Sequence, residues 1–158
     1  MRQESYLAIV YRYRDRYVAE CPAVGNEGEG ETPDAALSAL SRRTAEYLAA
    51  GGKRLGDGQV VLTQITVAAP NQARQAEQPT QTYTFTGLVW REEDSYVVES
   101  PAVGVTCLGE TAQEALDLVA EAAASVLEDQ PAPSEDITIR VESITVSVPE
   151  GADAVKAS

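Results

Sequence analysis

The chain has 158 residues and a net charge of −13, and 44% of its residues are hydrophobic, a composition typical of a globular protein. It contains no histidine, which excludes Ser-His and Cys-His nucleophile pairs and imidazole metal ligands. The charge is uneven, since residues 1–79 have a net charge of −1 and residues 80–158 one of −12. The acidic second half disfavours contact with nucleic-acid phosphates and favours a basic protein partner.

One stretch of the sequence occurs twice, 79 positions apart. Residues 17–37 read YVAECPAVGNEGEGETPDAAL, residues 96–116 read YVVESPAVGVTCLGETAQEAL, and 12 of the 21 positions are identical. This identity indicates an internal duplication, and we expect two small units that pack together or share a core. The predicted divisions are repeat 1 at residues 1–70, a polar linker at 71–81, repeat 2 at 82–149 and a tail at 150–158.

Repeat 1 begins with a predicted β-hairpin. Residues 6–14 alternate aromatic and β-branched side chains, which is typical of a strand. A turn at residues 15–16 leads to a second strand at residues 17–21. Pro22 ends that strand because it cannot donate to a ladder, and a glycine-rich loop with a short third strand follows.

A helix and a final strand complete repeat 1. Thr32 is the expected N-cap, Pro33 the first helical residue, and Gly51-Gly52 the end of the helix. Residues 59–68 then predict a fourth strand. The apolar stripe of the helix is expected to contain Leu37, Leu40, Thr44, Tyr47 and Leu48.

Repeat 2 has the same predicted order. Its strands are expected at residues 83–90, 96–100 and 137–148, and a Thr111 to Glu114 capping box opens its helix. We therefore predict an α+β fold with two tandem β-β-β-α-β units, each a four-stranded mixed sheet with one helix on one face, which form a pseudo-dimer. The second stripe is expected to contain Leu116, Val119, Ala123, Val126 and Leu127.

The first strand of each repeat has two apolar faces. The face with a small middle residue is assigned to the core beneath the helix, and the other face is expected to meet the second repeat or a partner. The core face holds Tyr6, Ala8 and Val10 in repeat 1 and Phe85, Gly87 and Val89 in repeat 2. The other face holds Leu7, Ile9 and Tyr11, and Thr86, Leu88 and Trp90.

The duplicated pattern of strand, proline, glycine loop, Gly-x-Thr element and helix resembles the HicB-like antitoxin family. The resemblance implies a truncated ribonuclease-H-like fold, with the last strand beside and parallel to the first. It also implies a role in binding and masking a small basic HicA-like toxin ribonuclease. DNA binding is not expected, because no helix-turn-helix or ribbon-helix-helix segment is recognisable after Pro149. The matching residues are Tyr17, Pro22, Gly25, Gly30, Thr32, Ala36 and Leu37, and Tyr96, Pro101, Gly104, Gly109, Thr111, Glu114, Ala115 and Leu116.

Catalysis is not expected. Ribonuclease H chemistry needs several carboxylates that converge on metal ions, one of them from the first strand. Residues 6–14 and 83–90 contain no acid. We therefore predict a non-enzymatic protein with no catalytic residue, no metal and no cofactor.

The partner-binding residues are expected in repeat 2. Its helix carries the acidic candidates, and Glu99 recurs at the place of Glu20. Both of these strand carboxylates are expected to be solvated. Residues 26–29 and 105–108 are where the repeats diverge most, so specificity is also expected there. The candidates for binding a basic toxin are Glu99, Glu110, Glu114, Asp117 and Glu121.

Two alternatives stay open. The chain could be an orphan scaffold or interaction protein without a toxin partner. It could also bind single-stranded RNA, because the first hairpin interleaves arginines with aromatic residues. The RNA-binding candidates are Arg12, Arg14, Arg16, Tyr11 and Tyr13.

The two cysteines and the N-terminus bear on compartment. Cys21 and Cys107 lie at non-equivalent repeat positions, so we expect free, reduced thiols, with Cys107 a half-buried filler. No stretch is long and apolar enough for a signal peptide or a membrane span. The predicted location is the cytoplasm.

Overall fold

The computed structural model describes residues 2–70, 80–130 and 137–149, so most of the predicted linker and all of the tail lie outside the described residues. The described residues form two compact units, each with one helix and one four-stranded sheet. The predicted α+β class is confirmed. The first unit contains residues 2–59, 91–93 and 138–149, and the second contains residues 60–70, 80–90, 94–130 and 137.

Each unit contains five of the ten secondary-structure elements, namely one helix and the four strands of its sheet. In the first unit the strand order is β3-β2-β1-β8, and in the second it is β4-β5-β6-β7. The first unit contains β1 (Arg2–Tyr13), β2 (Arg16–Cys21), β3 (Asn26–Gly30), α1 (Pro33–Ala49) and β8 (Arg140–Val148). The second contains β4 (Val60–Pro70), β5 (Thr80–Glu92, whose last two residues are grouped with the first unit), β6 (Ser95–Ser100), β7 (Val105–Gly109) and α2 (Ala112–Asp129).

The last strand of each sequence repeat belongs to the sheet of the other repeat. Strand β8 lies antiparallel to β1, with Val148 opposite Arg2, and β4 lies antiparallel to β5, with Val60 opposite Trp90. The expectation of a parallel last strand beside the first strand of its own repeat is wrong in both partner and direction. The sheets are antiparallel and not mixed.

Strands β4 and β5 are neighbours in the chain, and this explains their pairing. Their register brings Pro70 opposite Thr80, so only residues 71–79 separate the paired ends. Closing a short connection costs less chain entropy than returning to a distant strand. Because β5 begins at Thr80, the expectation of a linker at residues 80–81 is wrong.

The predicted turns and caps are present with small shifts. The first hairpin turns at Arg14, which has a φ of 60°, so Arg16 already belongs to β2 and not to the turn. Both helices begin as predicted, since the Thr32 hydroxyl accepts from the Ala35 N–H at 3.0 Å and the Thr111 hydroxyl from the Glu114 N–H at 3.1 Å. These bonds satisfy backbone donors that a helix start leaves unpaired.

Each unit has its own apolar core between sheet and helix. In the first, Tyr6, Ala8 and Val10 lie with Ile144, Val146 and Val148 of β8 against the buried face of α1. In the second, Ile65, Val67 and Ala69 of β4 take the matching places beside Phe85. The buried helix residues are Ala36, Leu40, Thr44 and Leu48 in α1 and Ala115, Val119, Ala123 and Leu127 in α2, while Leu37, Tyr47, Leu116 and Val126 are half-buried.

The sheet face opposite each helix is also buried in this single chain. Ile9 and Tyr11 in the first unit and Leu88 and Trp90 in the second have little or no exposure. Leu7 and Thr86 are half-buried.

Candidate protein-binding site on the second compact unit

The two units differ sharply in charge. Among the residues that the structure describes, the second unit has eight acids and no lysine or arginine. The first unit has ten lysines and arginines against twelve acids. Arg140 belongs to the first unit because its strand, β8, joins the first sheet, and Arg91, near the end of β5, is grouped with the first unit as well. The second unit therefore presents a uniformly negative field to any partner.

Helix α2 carries most of these acids. Glu114, Asp117 and Glu121 are exposed and recur at intervals of three and four residues, which places them on one side of the helix. Glu110 is exposed just before the N-cap. The amide of Gln113 donates to Asp117 at 2.9 Å and orients that carboxylate. The structure therefore brings four of the five predicted partner-binding acids to or beside one helix.

An open groove of about 580 Å³ lies between β7 and α2. Leu108 and Leu118 are 56% and 38% exposed, which is unusual for large apolar side chains. The groove brings the divergent residues 106–108 together with the acidic helix, two features that the sequence marks separately. Its lining consists of Thr106, Cys107, Leu108, Leu118, Glu121, Ala122 and Ser125.

The corresponding place in the first unit is closed, and Gly28 is one reason. A Cβ atom on Gly28 would lie 2.5 Å from the backbone nitrogen of Leu40 and 2.8 Å from the carbonyl oxygen of Ala36. Strand β3 therefore lies directly against the α1 backbone, which only glycine permits. Cys107 is the equivalent residue of the second unit; its side chain is half-buried against the core and lines the open groove.

Arg43 is the second reason for closure. Its Nη1 donates to the carbonyl oxygen of Glu27 on β3 at 2.9 Å, and Asn26 Nδ2 donates to the carbonyl oxygen of Arg43 at 3.4 Å. Helix α1 is thus tied to the backbone of its edge strand. The residue equivalent to Arg43 is Ala122, which has no side-chain donor and lines the open groove.

The predicted strand carboxylates lie elsewhere. Val98 belongs to the helix-side core, so its neighbour Glu99 points to the opposite sheet face, where Thr106 Oγ1 donates to it at 3.4 Å. Glu99 is therefore not part of the α2 acidic surface. Glu20 is buried, 8% exposed, and accepts from the Tyr11 hydroxyl at 2.6 Å, so the expectation of a solvated carboxylate there is wrong.

The RNA-binding candidates are only partly brought together. Arg12, Arg14 and Arg16 are exposed around the first hairpin turn. Tyr11 is buried and bonded to Glu20, while the Arg14 guanidinium lies 5.3 Å from the centre of the Tyr13 ring. Only Tyr13 of the two tyrosines therefore remains half-exposed for stacking on a base.

Both cysteines are free thiols, and they differ in access. Cys107 is half-buried, as predicted, and lines the groove, whereas Cys21 is fully buried. Burial raises the pKa of both thiols, because it disfavours the thiolate. Neither is therefore an activated nucleophile.

No family model, no curated protein and no solved structure matches this chain. The HicB-like resemblance therefore stays a prediction that rests on the duplicated residues. Neither described helix has the length and apolar character needed to cross a membrane. Within residues 2–70, 80–130 and 137–149, no three His, Cys, Asp or Glu side chains are grouped as metal ligands.

Proposed function

We propose that this chain is a non-enzymatic protein-binding module that neutralises a small basic partner through its second compact unit. The closest functional analogy is a HicB antitoxin that masks a HicA-like toxin ribonuclease, as the sequence resemblance implies. One observation carries the proposal: the described residues of the second unit contain eight acids and no cation. A surface of one charge sign attracts a partner of the opposite sign and speeds its association.

The α2 surface suits such a partner for a further reason. Its acids, Glu114, Asp117 and Glu121, are exposed side by side along about two turns of one helix. Exposed charges interact weakly one at a time, but several together produce tight and salt-dependent association. The complex is therefore expected to weaken steeply as ionic strength rises.

The test is neutralisation of a small basic HicA-like toxin, taken from beside this gene where one is encoded there. Cells that express that toxin should recover when the full chain is co-expressed, and the purified proteins should form a salt-sensitive complex. The triple variant Glu114→Lys, Asp117→Lys, Glu121→Lys should lose rescue and at least 100-fold in affinity. A chain that neither rescues nor binds would refute the proposal and leave the scaffold alternative.

A matched control lies on the first unit. Glu31, Asp34 and Glu46 are exposed acids at the start of α1 and on its surface, and their replacement by lysine changes the net charge by the same amount. This variant should retain rescue and most of the affinity. If both triple variants lose binding equally, the net charge of the chain and not the α2 surface determines the interaction.

A further inference from the structure

We infer that the groove between β7 and α2 binds an extended basic segment of the partner, which adds a strand to the free edge of β7 and places an arginine or lysine beside Glu121. This inference rests on the proposed function, since it specifies how the second unit recognises a basic protein.

Strand β7 is the edge of its sheet. Among the residues that the structure describes, it pairs with β6 alone, in the order β4-β5-β6-β7. An edge strand directs the N–H and C=O groups of alternate residues away from its neighbour, and an extended peptide can pair with them. The groove beside β7 leaves room for such a segment.

The first unit shows which chemical group fits this place. There the Glu27 carbonyl, on the edge strand, accepts from the Arg43 guanidinium at 2.9 Å. Glu27 lies opposite Glu20, and Thr106 lies opposite Glu99 in the same register, so the Thr106 carbonyl takes the same direction. The second unit has Ala122 in place of Arg43 and leaves this acceptor to a cation from another molecule.

Charge and apolar lining support the same occupant. Glu121 lines the groove, where the first unit has Arg42 at the equivalent position, so the local charge is reversed. Leu108 and Leu118 offer apolar contacts on either side. Alternate side chains of a strand point in opposite directions, so a segment that alternates cationic and apolar residues could use both the carboxylate and the leucines.

The probe is a fluorescein-labelled, acetylated hexapeptide of alternating arginine and valine, titrated into the full chain. Fluorescence anisotropy gives its affinity, and protection of Cys107 from N-ethylmaleimide gives an independent footprint. Cys107 lines the groove while Cys21 is fully buried, so labelling of the folded chain reports on the groove. The same peptide with its central valine replaced by proline lacks one backbone donor and should bind at least 5-fold more weakly.

Two variants fill the groove. Ala122→Arg restores the residue of the closed first unit, and Ala122→Met blocks the groove without adding charge; each should lower peptide affinity at least 10-fold and slow Cys107 labelling. Gln130→Arg adds the same charge at the exposed end of α2, outside the groove, and should lower affinity less than 3-fold. Circular dichroism establishes that each variant is folded.

The outcomes separate this inference from the proposed function. If the variants at Ala122 bind the peptide like the unaltered chain, or if the proline peptide binds as tightly as its parent, the groove inference is overturned. If those variants still neutralise the toxin fully, the toxin binds elsewhere on the second unit and the inference fails while the proposed function stands. Peptide binding in the groove without any toxin rescue supports the inference and refutes toxin neutralisation.

Discussion

The two compact units share one plan but differ in groove and charge. In the first unit the space between edge strand and helix is closed and the charges are mixed, whereas in the second unit this space is an open groove and the described charged residues are all acidic. Two substitutions between the repeats account for the closure: Gly28 corresponds to Cys107, and Arg43 corresponds to Ala122. The first pair sets how closely the edge strand approaches the helix, and the second decides whether the helix binds the strand's backbone. A duplicated fold can thus keep this space closed in one copy and leave an open groove in the other by changing two contacts.

The prediction with the largest expected effect tests which sheet each last strand joins. Ile144→Ala removes a buried side chain from the core of the first unit and should cost about 2 to 5 kcal/mol there. Hydrogen exchange should then show faster exchange of α1 amides, with α2 little changed. Ile65→Ala is the matched change and should have the reverse effect. Loss of protection in α2 on mutation of Ile144 would contradict the strand exchange.

The prediction with the next largest effect tests why the space between β3 and α1 is closed in the first unit. Gly28→Ala places a methyl group 2.5 Å from the Leu40 nitrogen, so β3 must move away from α1, at a cost of about 1 to 3 kcal/mol. Urea denaturation measures the loss. Cys107→Ala is the matched change in the second unit, where the groove leaves space, and should cost clearly less. Equal costs would mean that Gly28 does not set the strand-to-helix distance.

A smaller effect concerns alkaline pH. Burial raises the pKa of Cys21, so the folded thiol keeps its proton where the unfolded thiol, with an ordinary pKa of about 8.5, ionises. The contribution of the neutral Cys21 thiol to the free energy of unfolding is fully present below about pH 8.5. It declines above that pH, because unfolding then releases a proton. Urea midpoints at pH 7.5, 8.5 and 9.5 should fall for the unaltered chain and less steeply for Cys21→Ala.

Two measurements complete the pH experiment. The range stops at pH 9.5 because burial and a hydrogen bond to Glu4 also raise the pKa of Tyr6, whose ionisation matters only at higher pH. Cys107→Ala is the control, since burial raises the pKa of that thiol too but in a half-buried position. Identical pH dependence in the unaltered chain and Cys21→Ala would show that Cys21 is not responsible for the decline.

The smallest effect is a gain in stability. The hydroxyl oxygen of Thr44 is buried in α1 without a hydrogen-bond partner among the described residues, and the equivalent residue in α2 is Ala123. Thr44→Val removes the desolvated hydroxyl and keeps the shape, so it should stabilise the first unit by about 1 kcal/mol or less. Thermal unfolding measures this shift. Thr44→Ser keeps the hydroxyl and loses the methyl group, so it should destabilise the first unit. A loss of stability in Thr44→Val would show that the hydroxyl is hydrogen-bonded.

Much of the local structure follows from the sequence. The starts of the two helices, at Thr32 and Thr111, are predicted because N-capping by a hydroxyl is a local interaction that depends on neighbouring residues only. The core face of β1 is predicted because side chains alternate along a strand whatever its partner. The groove is different, since it depends on a strand-to-helix distance that no periodicity encodes.

The candidate acids show the same division between features set by local spacing and features set by tertiary contacts. Glu110, Glu114, Asp117 and Glu121 lie within one helix and its cap, so their common surface follows from helical spacing. Glu20 differs because its burial depends on Tyr11, nine residues away across a hairpin. A tyrosine diagonal to a carboxylate across a hairpin is the signal that could have indicated the bond: Tyr11 lies opposite Val18, and Glu20 lies two residues further along β2 on the same face.

The sequence by itself therefore determined the duplication, the two helices, their caps and the apolar faces, all of which depend on short-range chemistry. Only the tertiary structure decided which sheet each last strand joins. Ile65 and Val67 of β4 match Ile144 and Val146 of β8, so either strand presents nearly the same apolar face to either core. The patterns are degenerate, and the short connection between β4 and β5 favours their pairing, which leaves β8 for β1.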